Sequence, residues 1–347
     1  MIDTIEQNES MIENEIRKAV SAEELELLHP LDESSKEAIS HHRQEVADIL
    51  HGRDSRMIAI VGPCSLDDSL MESGTPSVIK YAELLEEAIM SQKLDEKLKI
   101  IMRVNPAKPR TNLGWIGLEQ DSIEVAHALM TSVASTGMPL VIEAMNDRHL
   151  ARYGNLLSMA WVGARNVQDT HLRHSISARS WLPMLFKNDT TGSIETALDA
   201  ILTASNPHKN VELVARDNTL NLVNSTGNPN LGFFHRGSCA RSKEEFIQEI
   251  HKIAPKLTDL SVPMLIDCSH GNSQTHNKGY QKDESGQLRA LDSVIKLMGQ
   301  GVQIKGIALE SYLVAGNGGN ISGRSRTDPC IGIDETINSL NSLASII

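Results

Sequence analysis

The sequence predicts an α/β protein, built as a (β/α)8 (TIM) barrel with an N-terminal helical extension and an inserted β-hairpin. Three observations lead to this prediction. Eight short apolar runs occur from residue 57 onward, and amphipathic stretches lie between many of them. The length of 347 residues suits one barrel of about 250 residues with extensions. A doubly wound open sheet is the alternative, because periodicity alone cannot show that a sheet closes.

Residues 1–55 are predicted to form a polar helical extension, and residues 56–347 the barrel. In the first segment Glu and Lys/Arg alternate with apolar positions such as Ile12, Ile16 and Ile39. This pattern favours a solvated arm or an oligomerisation element.

The barrel strands are predicted from the apolar runs, which begin and end at polar or turn-forming residues. The eight runs cover residues 57–63, 99–105, 139–145, 160–165, 183–188, 231–236, 263–269 and 305–311. Two further runs, 211–216 and 220–225, flank a turn-like Asp-Asn-Thr and predict the inserted hairpin. Helices are predicted over 77–92, 122–136, 193–205, 244–257 and 288–300.

Barrel enzymes carry their active sites at the C-terminal ends of the strands, so the strand list becomes a list of candidate site residues. Every predicted strand ends on a polar or ionisable group. These residues are Cys64, Arg103, Glu143, Arg165, Lys187, Arg236, Asp267 with His270, and Glu310.

Six cations are predicted to converge on this face, although the whole chain carries a net charge of −12. Clustered buried cations are costly without counter-anions, and Arg suits phosphate and carboxylate oxygens. For any single cation, a salt bridge to a neighbouring acid is the alternative. The cluster predicts a ligand with several negative charges, and a tight basic loop at 108–111 is interpreted as a phosphate cradle. The six are Arg103, Lys108, Arg110, Arg165, Lys187 and Arg236.

A metal site is predicted from Cys64, His270, Glu310 and Asp328, which follow the first, seventh and eighth strands. Taken singly, Cys64 could be an inert buried thiol and His270 a core histidine. The mixed donor set leaves Mn, Fe, Zn and Co open. The other cysteines (Cys239, Cys268, Cys330) are interpreted as structural, and His171, His174, His235 and His276 as surface or supporting groups.

Composition excludes several classes of protein. The acidic chain lacks the basic surface that nucleic-acid binding needs, and no apolar run reaches the about 18 residues of a membrane span. The four scattered cysteines and the polar, acidic N-terminus favour a reduced, cytoplasmic protein.

The motifs together resemble a known family. They are IVGPCSLDD (60–68), IIMRVNPAKPRTNLGW (100–115), WVGAR (161–165), LFKNDTTGSI (185–194), NSTGNPN (224–230), HRG (235–237), LIDCSHGNS (265–273), ALESYLVAGN (308–317) and TDPCIGIDET (327–336). In this order they resemble the type I 3-deoxy-D-arabino-heptulosonate 7-phosphate (DAHP) synthases. The resemblance implies a metal-dependent condensation of phosphoenolpyruvate with erythrose 4-phosphate, the first step of the shikimate pathway.

The resemblance also implies residue roles. Cys64, His270, Glu310 and Asp328 would bind a divalent metal, with Mn²⁺ preferred over Fe²⁺, Co²⁺ or Zn²⁺, and Cys64, His270 and Lys108 would form the catalytic set. Lys108 or a metal-bound water would donate a proton to the new hydroxyl. A homodimer or homotetramer is expected. The implied substrate-binding residues are Arg103, Lys108, Arg110, Thr111, Glu143, Ala164, Arg165, Lys187 and Arg236.

The sequence departs from the family pattern at Asn105, at Ala107, over 146–150 and over 166–170. These departures keep two alternatives open. One is the same chemistry on a different aldose phosphate in a specialised pathway, and the other is a regulatory barrel without turnover.

Overall fold

The structure is a computed structural model, and it describes residues 18–238, 242–274, 284–319 and 321–347. Its strands in chain order are β1 (Met57–Gly62), β2 (Leu98–Arg103), β3 (Lys108–Arg110), β4 (Gly114–Ile116), β5 (Leu140–Ala144), β6 (Met159–Val162), β7 (Met184–Lys187), β8 (Val211–Val214), β9 (Leu220–Val223), β10 (Leu231–His235), β11 (Met264–Asp267), β12 (Gly306–Glu310), β13 (Val314–Asn317) and β14 (Arg324–Ser325).

Eight of these strands close into one parallel barrel, in the ring order β1, β2, β5, β6, β7, β10, β11, β12. Each matches one predicted run, so the barrel is confirmed and the open sheet is excluded. The predicted hairpin is also confirmed, because β8 and β9 pair antiparallel. Two further small sheets, β3 with β4 and β13 with β14, were not predicted.

The helices in chain order are α1 (Ala22–Leu28), α2 (Glu33–Leu50), α3 (Ser77–Gln92), α4 (Leu118–Asp121), α5 (Ile123–Ala134), α6 (Asp147–Tyr153), α7 (Thr170–Ser177), α8 (Glu195–Ser205), α9 (Lys243–Asp259), α10 (Glu284–Gly299) and α11 (Ile333–Ala344). The five predicted helices correspond to α3, α5, α8, α9 and α10. Among the described helices, none is both long and apolar enough to cross a bilayer.

Successive residues of each barrel strand point alternately into the barrel interior and outward to the surrounding helices, because the side chains of a strand have a period of two residues. In β1, Ile58 and Ile60 belong to the interior cluster, whereas Ala59 and Val61 pack toward the helices. Trp161 and Phe234 fill the interior with an edge-to-face ring contact at 5.8 Å. The barrel is therefore a packed core with room for a site only at its ends.

Helix α2 closes the N-terminal end of the barrel. Its residues Val46, Ile49 and Leu50 are buried in the interior cluster. Polar groups of α2 and of the residue that caps its C-terminus contact segments that precede strands. Arg43 donates to the carbonyl of Leu157, and the capping residue His51 bonds Asn230. The division of the chain at residue 55, and an oligomerisation role for the first segment, stay predictions.

An ionic cluster joins α2 to the first two strands. Glu45 Oε2 lies 2.6 Å from Lys99 Nζ, and Glu45 Oε1 lies 2.7 Å from Arg56 Nη2. Burial opposes the charge of Glu45, but hydrogen bonds from His42, Lys99 and Arg56 outweigh it and hold the pKa of this carboxyl well below its usual range. The cluster thus fixes α2 to the barrel through an ionised carboxylate.

Candidate active site

A cavity of about 610 Å³ opens at the C-terminal ends of the barrel strands. Seven of the nine predicted substrate-binding residues line it: Lys108, Arg110, Glu143, Ala164, Arg165, Lys187 and Arg236. Arg103 is buried against Glu310, with Nη2 to Oε1 at 2.8 Å. Thr111 lies at the rim, where its hydroxyl accepts a hydrogen bond from Arg165 Nε at 3.1 Å.

The basic segment 108–111 differs from its prediction as a tight loop. Lys108 and Arg110 lie on β3, which pairs antiparallel with β4. Gly117, which follows β4, has φ +134° and lies so close to Pro106 and Ala107 that a Cβ would collide with their backbone. The hairpin therefore needs a glycine here to fold back and present both cations to the cavity.

Three of the four predicted metal ligands meet at one point. A sulfur or oxygen atom from each of Cys64, Glu310 and Asp328 lies within 4.8 Å of the other two, and Cys64 Sγ is 3.3 Å from Asp328 Oδ2. His270 lies at the edge of this group, with Nε2 3.8 Å from Glu310 Oε1. A thiol, an imidazole and two carboxylates suit a divalent transition metal, so the residues fit the predicted ion.

Three cations neutralise the two carboxylates of this group. Glu310 Oε1 lies 3.1 Å from Lys108 Nζ and also contacts Arg103, while Asp328 Oδ1 lies 2.9 Å from Arg110 Nη2. Burial and Arg103 act to lower the pKa of Lys108, but the carboxylates of Glu310 and Asp328 oppose them, and the pKa lies above its usual value overall. Lys108 therefore keeps its proton in the buried site.

The Cys64 thiol is protonated in the metal-free chain. It is fully buried, and burial together with the charge of Glu310 raises its pKa above the ordinary thiol value. Because a thiolate is the form that binds metal, ion binding at this site must displace the thiol proton.

The opposite wall of the cavity carries the anion-binding candidates Arg165, Lys187 and Arg236. Lys187 Nζ lies 2.6 Å from Asp267 Oδ2 and 4.7 Å from the ring centroid of Phe234. Burial lowers the pKa of Lys187, with Asp267 opposing the shift, and burial also lowers the pKa of Arg236. Among the described residues, the carboxylates of Asp267 and Glu143 act on these cations. Two acids beside three cations favour an anionic ligand.

Residues 30–335 match the model of the DAHP synthetase I family. The chain belongs to this family. It is 31% identical over 344 residues to a phospho-2-dehydro-3-deoxyheptonate aldolase of Corynebacterium glutamicum, with 92% of this chain and 89% of that protein covered. It is 29% identical over 336 residues to the Tyr-sensitive enzyme of that name in Escherichia coli, with 91% and 90% covered.

The family fold is also found in a solved structure. The phospho-2-dehydro-3-deoxyheptonate aldolase of Francisella tularensis superposes with a TM-score of 0.83 at 30% identity, covering 97% of this chain and 98% of that chain. The resemblance inferred from the motifs is therefore confirmed for the DAHP synthetase I family.

Two further residues complete the site in this DAHP synthetase I barrel: Asn105, which the sequence did not predict as a site residue, and Asp267, which it predicted without a role. Asn105 accepts a hydrogen bond from the backbone N–H of Glu143 at 2.7 Å and donates to the carbonyl of Cys64, so it links the two walls. Asp267 was recognised as a strand end but given no role. The motif LIDCSH contained the signal, since Asp267 precedes His270 by three residues.

The structure also locates several of the cysteines and histidines that were interpreted as structural or supporting groups. Cys268 and Cys330 are buried free thiols. His235 is buried rather than superficial, with Nε2 3.5 Å from Glu249 Oε1. Cys239 and His276 lie outside the described residues.

Proposed function

We propose that the chain condenses phosphoenolpyruvate with erythrose 4-phosphate and water, giving DAHP and inorganic phosphate. One observation carries the proposal, namely that His270 and Asp328 line the same cavity as a wall of cations. Cys64 and Glu310 are buried beside Asp328, within 4.8 Å of it. The activity named for the relatives from C. glutamicum and E. coli supports it.

The cationic wall binds the enol substrate. Arg165 and Lys187 hold the phosphate of phosphoenolpyruvate, and Arg236 with the buried Arg103 supports its carboxylate. Holding these groups positions C3 of the enol toward the aldose. The tip of the hairpin, with Arg110 and Thr111, faces the phosphate of erythrose 4-phosphate.

The reaction balances as one condensation. A bond forms between C3 of phosphoenolpyruvate and the aldehyde carbon, water adds its oxygen at C2, and the C–O bond to phosphate breaks. Lys108 holds a proton on Nζ and gives it to the new hydroxyl oxygen. As C2 becomes a carbonyl, the water loses both of its protons: one restores the proton on Lys108 and the other leaves with the inorganic phosphate. The cations on the wall stabilise the phosphate as it departs.

Cys64, His270, Glu310 and Asp328 hold the divalent ion in this proposal. The chemistry that such an ion supplies when bound is Lewis-acid polarisation of a substrate oxygen. We propose Mn²⁺ as the first candidate, with Fe²⁺, Co²⁺ and Zn²⁺ as alternatives, because the donor set combines soft and hard ligands.

We further propose that the protein works in the cytoplasm as a homodimer or homotetramer. Within the described residues Cys64, Cys268 and Cys330 are free thiols, which supports a reducing compartment such as the cytoplasm. Light scattering coupled to gel filtration measures the number of subunits.

The test follows the loss of the enol absorbance of phosphoenolpyruvate with purified protein and a panel of aldose phosphates. We expect consumption with erythrose 4-phosphate, its loss with a chelator and its return with Mn²⁺. Faster turnover of another aldose phosphate would instead support a specialised pathway, and no consumption with any aldose or metal would support a regulatory barrel.

A further inference from the structure

Asp267 lies between the two walls of the site and contacts both. It ends β11, and its carboxylate is 1% exposed. Oδ2 lies 2.6 Å from Lys187 Nζ and 2.8 Å from His270 Nδ1. Oδ1 accepts hydrogen bonds from the backbone N–H of Ser269 at 3.0 Å and from its hydroxyl at 2.6 Å.

These contacts determine which nitrogen of His270 carries a proton. The ion pair with Lys187 holds Asp267 as a carboxylate, which only accepts hydrogen bonds. Ser269 Oγ donates to Asp267, so toward His270 Nδ1, which lies 2.6 Å away, it can only accept. Asp267 Oδ2 and Ser269 Oγ both accept from Nδ1, so Nδ1 is the donor toward them.

With the proton on Nδ1, the lone pair of neutral His270 is on Nε2. This nitrogen is the one near the predicted metal ligands, 3.8 Å from Glu310 Oε1. Metal-binding histidines in proteins commonly donate their second N–H to a carboxylate, which fixes the ring orientation and increases its basicity.

The backbone conformation of His270 is an unfavourable one for a residue other than glycine. Its φ is +55°, in the left-handed region that non-glycine residues seldom adopt. Next to it, Gly271 lies so close to the backbone of Gly237 and Ser238 that a Cβ would collide. The turn is therefore held by its surroundings, and the side-chain bond to Asp267 adds a direct constraint on the imidazole.

We infer that Asp267 is a positioning residue, which orients His270 Nε2 toward the metal while it neutralises Lys187 in the anion-binding wall. This inference rests on the proposed function, because it gives Asp267 a task within the same site. It predicts that metal affinity depends on a residue that does not itself bind the ion.

The test is a calorimetric titration of the full chain with Mn²⁺ alone. We expect Asp267→Asn to weaken Mn²⁺ binding about 10- to 100-fold, the usual effect of removing such a partner. The matched control is Asp189→Asn, since Asp189 is also a buried carboxylate in a loop after a strand but bonds Thr191 and Ser193. It should bind Mn²⁺ as the unmodified chain does.

A double-mutant cycle separates positioning from a general structural role. In a His270→Ala background, Asp267→Asn should change the Mn²⁺ affinity by no more than about twofold, because the group that Asp267 orients is gone. Full additivity of the two substitutions would overturn the inference, and so would an unchanged affinity in Asp267→Asn.

If Asp267→Asn does not fold, the ¹⁵N NMR shifts of the neutral His270 imidazole in the unmodified chain decide. We expect the proton on Nδ1, which bonds Asp267 Oδ2, and a proton on Nε2 instead would overturn the inference. Turnover of phosphoenolpyruvate by the unmodified chain tests the proposed function separately. A failure of the inference about Asp267 can therefore be distinguished from a failure of the proposed function.

Discussion

Cys64 Sγ lies 3.3 Å from Asp328 Oδ2, although 264 positions separate the two residues in the chain. The contact exists because the loop after β1 and the loop after β14 meet, where Ser65 Oγ and Thr327 Oγ1 are 3.0 Å apart. If both residues bind the ion, removing either should lower affinity more than removing an outer partner does.

We therefore expect Cys64→Ala to lower Mn²⁺ affinity by more than about 100-fold and to abolish metal-dependent turnover. Calorimetry and the enol assay measure the two effects. Cys268→Ala is the control, because Cys268 is also a fully buried free thiol but is not in the metal-ligand group. Equal Mn²⁺ binding by both variants would contradict the assignment.

Metal affinity should also rise with pH. Because burial and Glu310 raise the pKa of Cys64, the thiol is protonated near neutrality and ion binding releases its proton. For one proton released, the logarithm of the association constant rises by about one per pH unit. Calorimetry between about pH 6.5 and 8 measures this slope. In Cys64→Ser the slope should fall by about one, and an unchanged slope would show that another group supplies the proton.

Arg165→Ala should chiefly weaken phosphoenolpyruvate binding. One lost charge-assisted hydrogen bond raises the Kd about 10- to 100-fold. Mn²⁺ affinity should stay the same, because Arg165 lines the other wall of the cavity. Arg53→Ala is the control, since Arg53 is an exposed arginine paired with Asp48. Equal phosphoenolpyruvate affinity in the Arg165 variant would refute its role.

The closure of the barrel by α2 can be tested through stability. Ile49 is fully buried in the interior cluster, so Ile49→Ala should lower the free energy of unfolding by about 2–5 kcal/mol. Leu28→Ala, at a position 61% exposed on α1, should change it by less than about 0.5 kcal/mol. Chemical denaturation measures both changes. An unchanged free energy of unfolding in Ile49→Ala would show that α2 is not part of the core.

The ionic cluster around Glu45 predicts a pH-dependent contribution to stability. A carboxyl whose pKa is lowered by folding stabilises the protein above its unfolded pKa, and this contribution is lost as pH falls through the lowered folded value. Glu45→Gln should lower the Tm by about 2 °C at pH 7. The difference should shrink below about pH 4.3, the ordinary pKa of Glu. Glu33→Gln, which removes an exposed carboxylate, is the control and should show neither effect.

The sequence predicted the barrel well, because each strand is a continuous apolar run ended by polar residues, as in PMLIDCS at 263–269. It did not reveal the strand Lys108–Arg110, which has no apolar pattern and pairs with the short strand Gly114–Ile116 that follows it. Nor did it place α2, since Val46, Ile49 and Leu50 are few among charged neighbours, and only the closed barrel offers them a buried surface.

The sequence predicted which residues of the candidate site lie at strand ends. It did not predict which of these residues contact one another. Lys187 and His270 were both predicted from the sequence as site residues. Their shared contact with Asp267 depends on the relative positions of β7 and β11 in the barrel. Spacing along a chain contains no information about such contacts between strands that are distant in sequence.

The meeting of Cys64 with Asp328 also has a consequence for biosynthesis. During translation the first of these side chains leaves the ribosome long before the second has been made, because 264 positions separate them. If both bind the ion, a nascent chain lacks the complete ligand set until Asp328 has been synthesised. Metal loading would then follow the closure of the barrel, after the last barrel strand has joined the first.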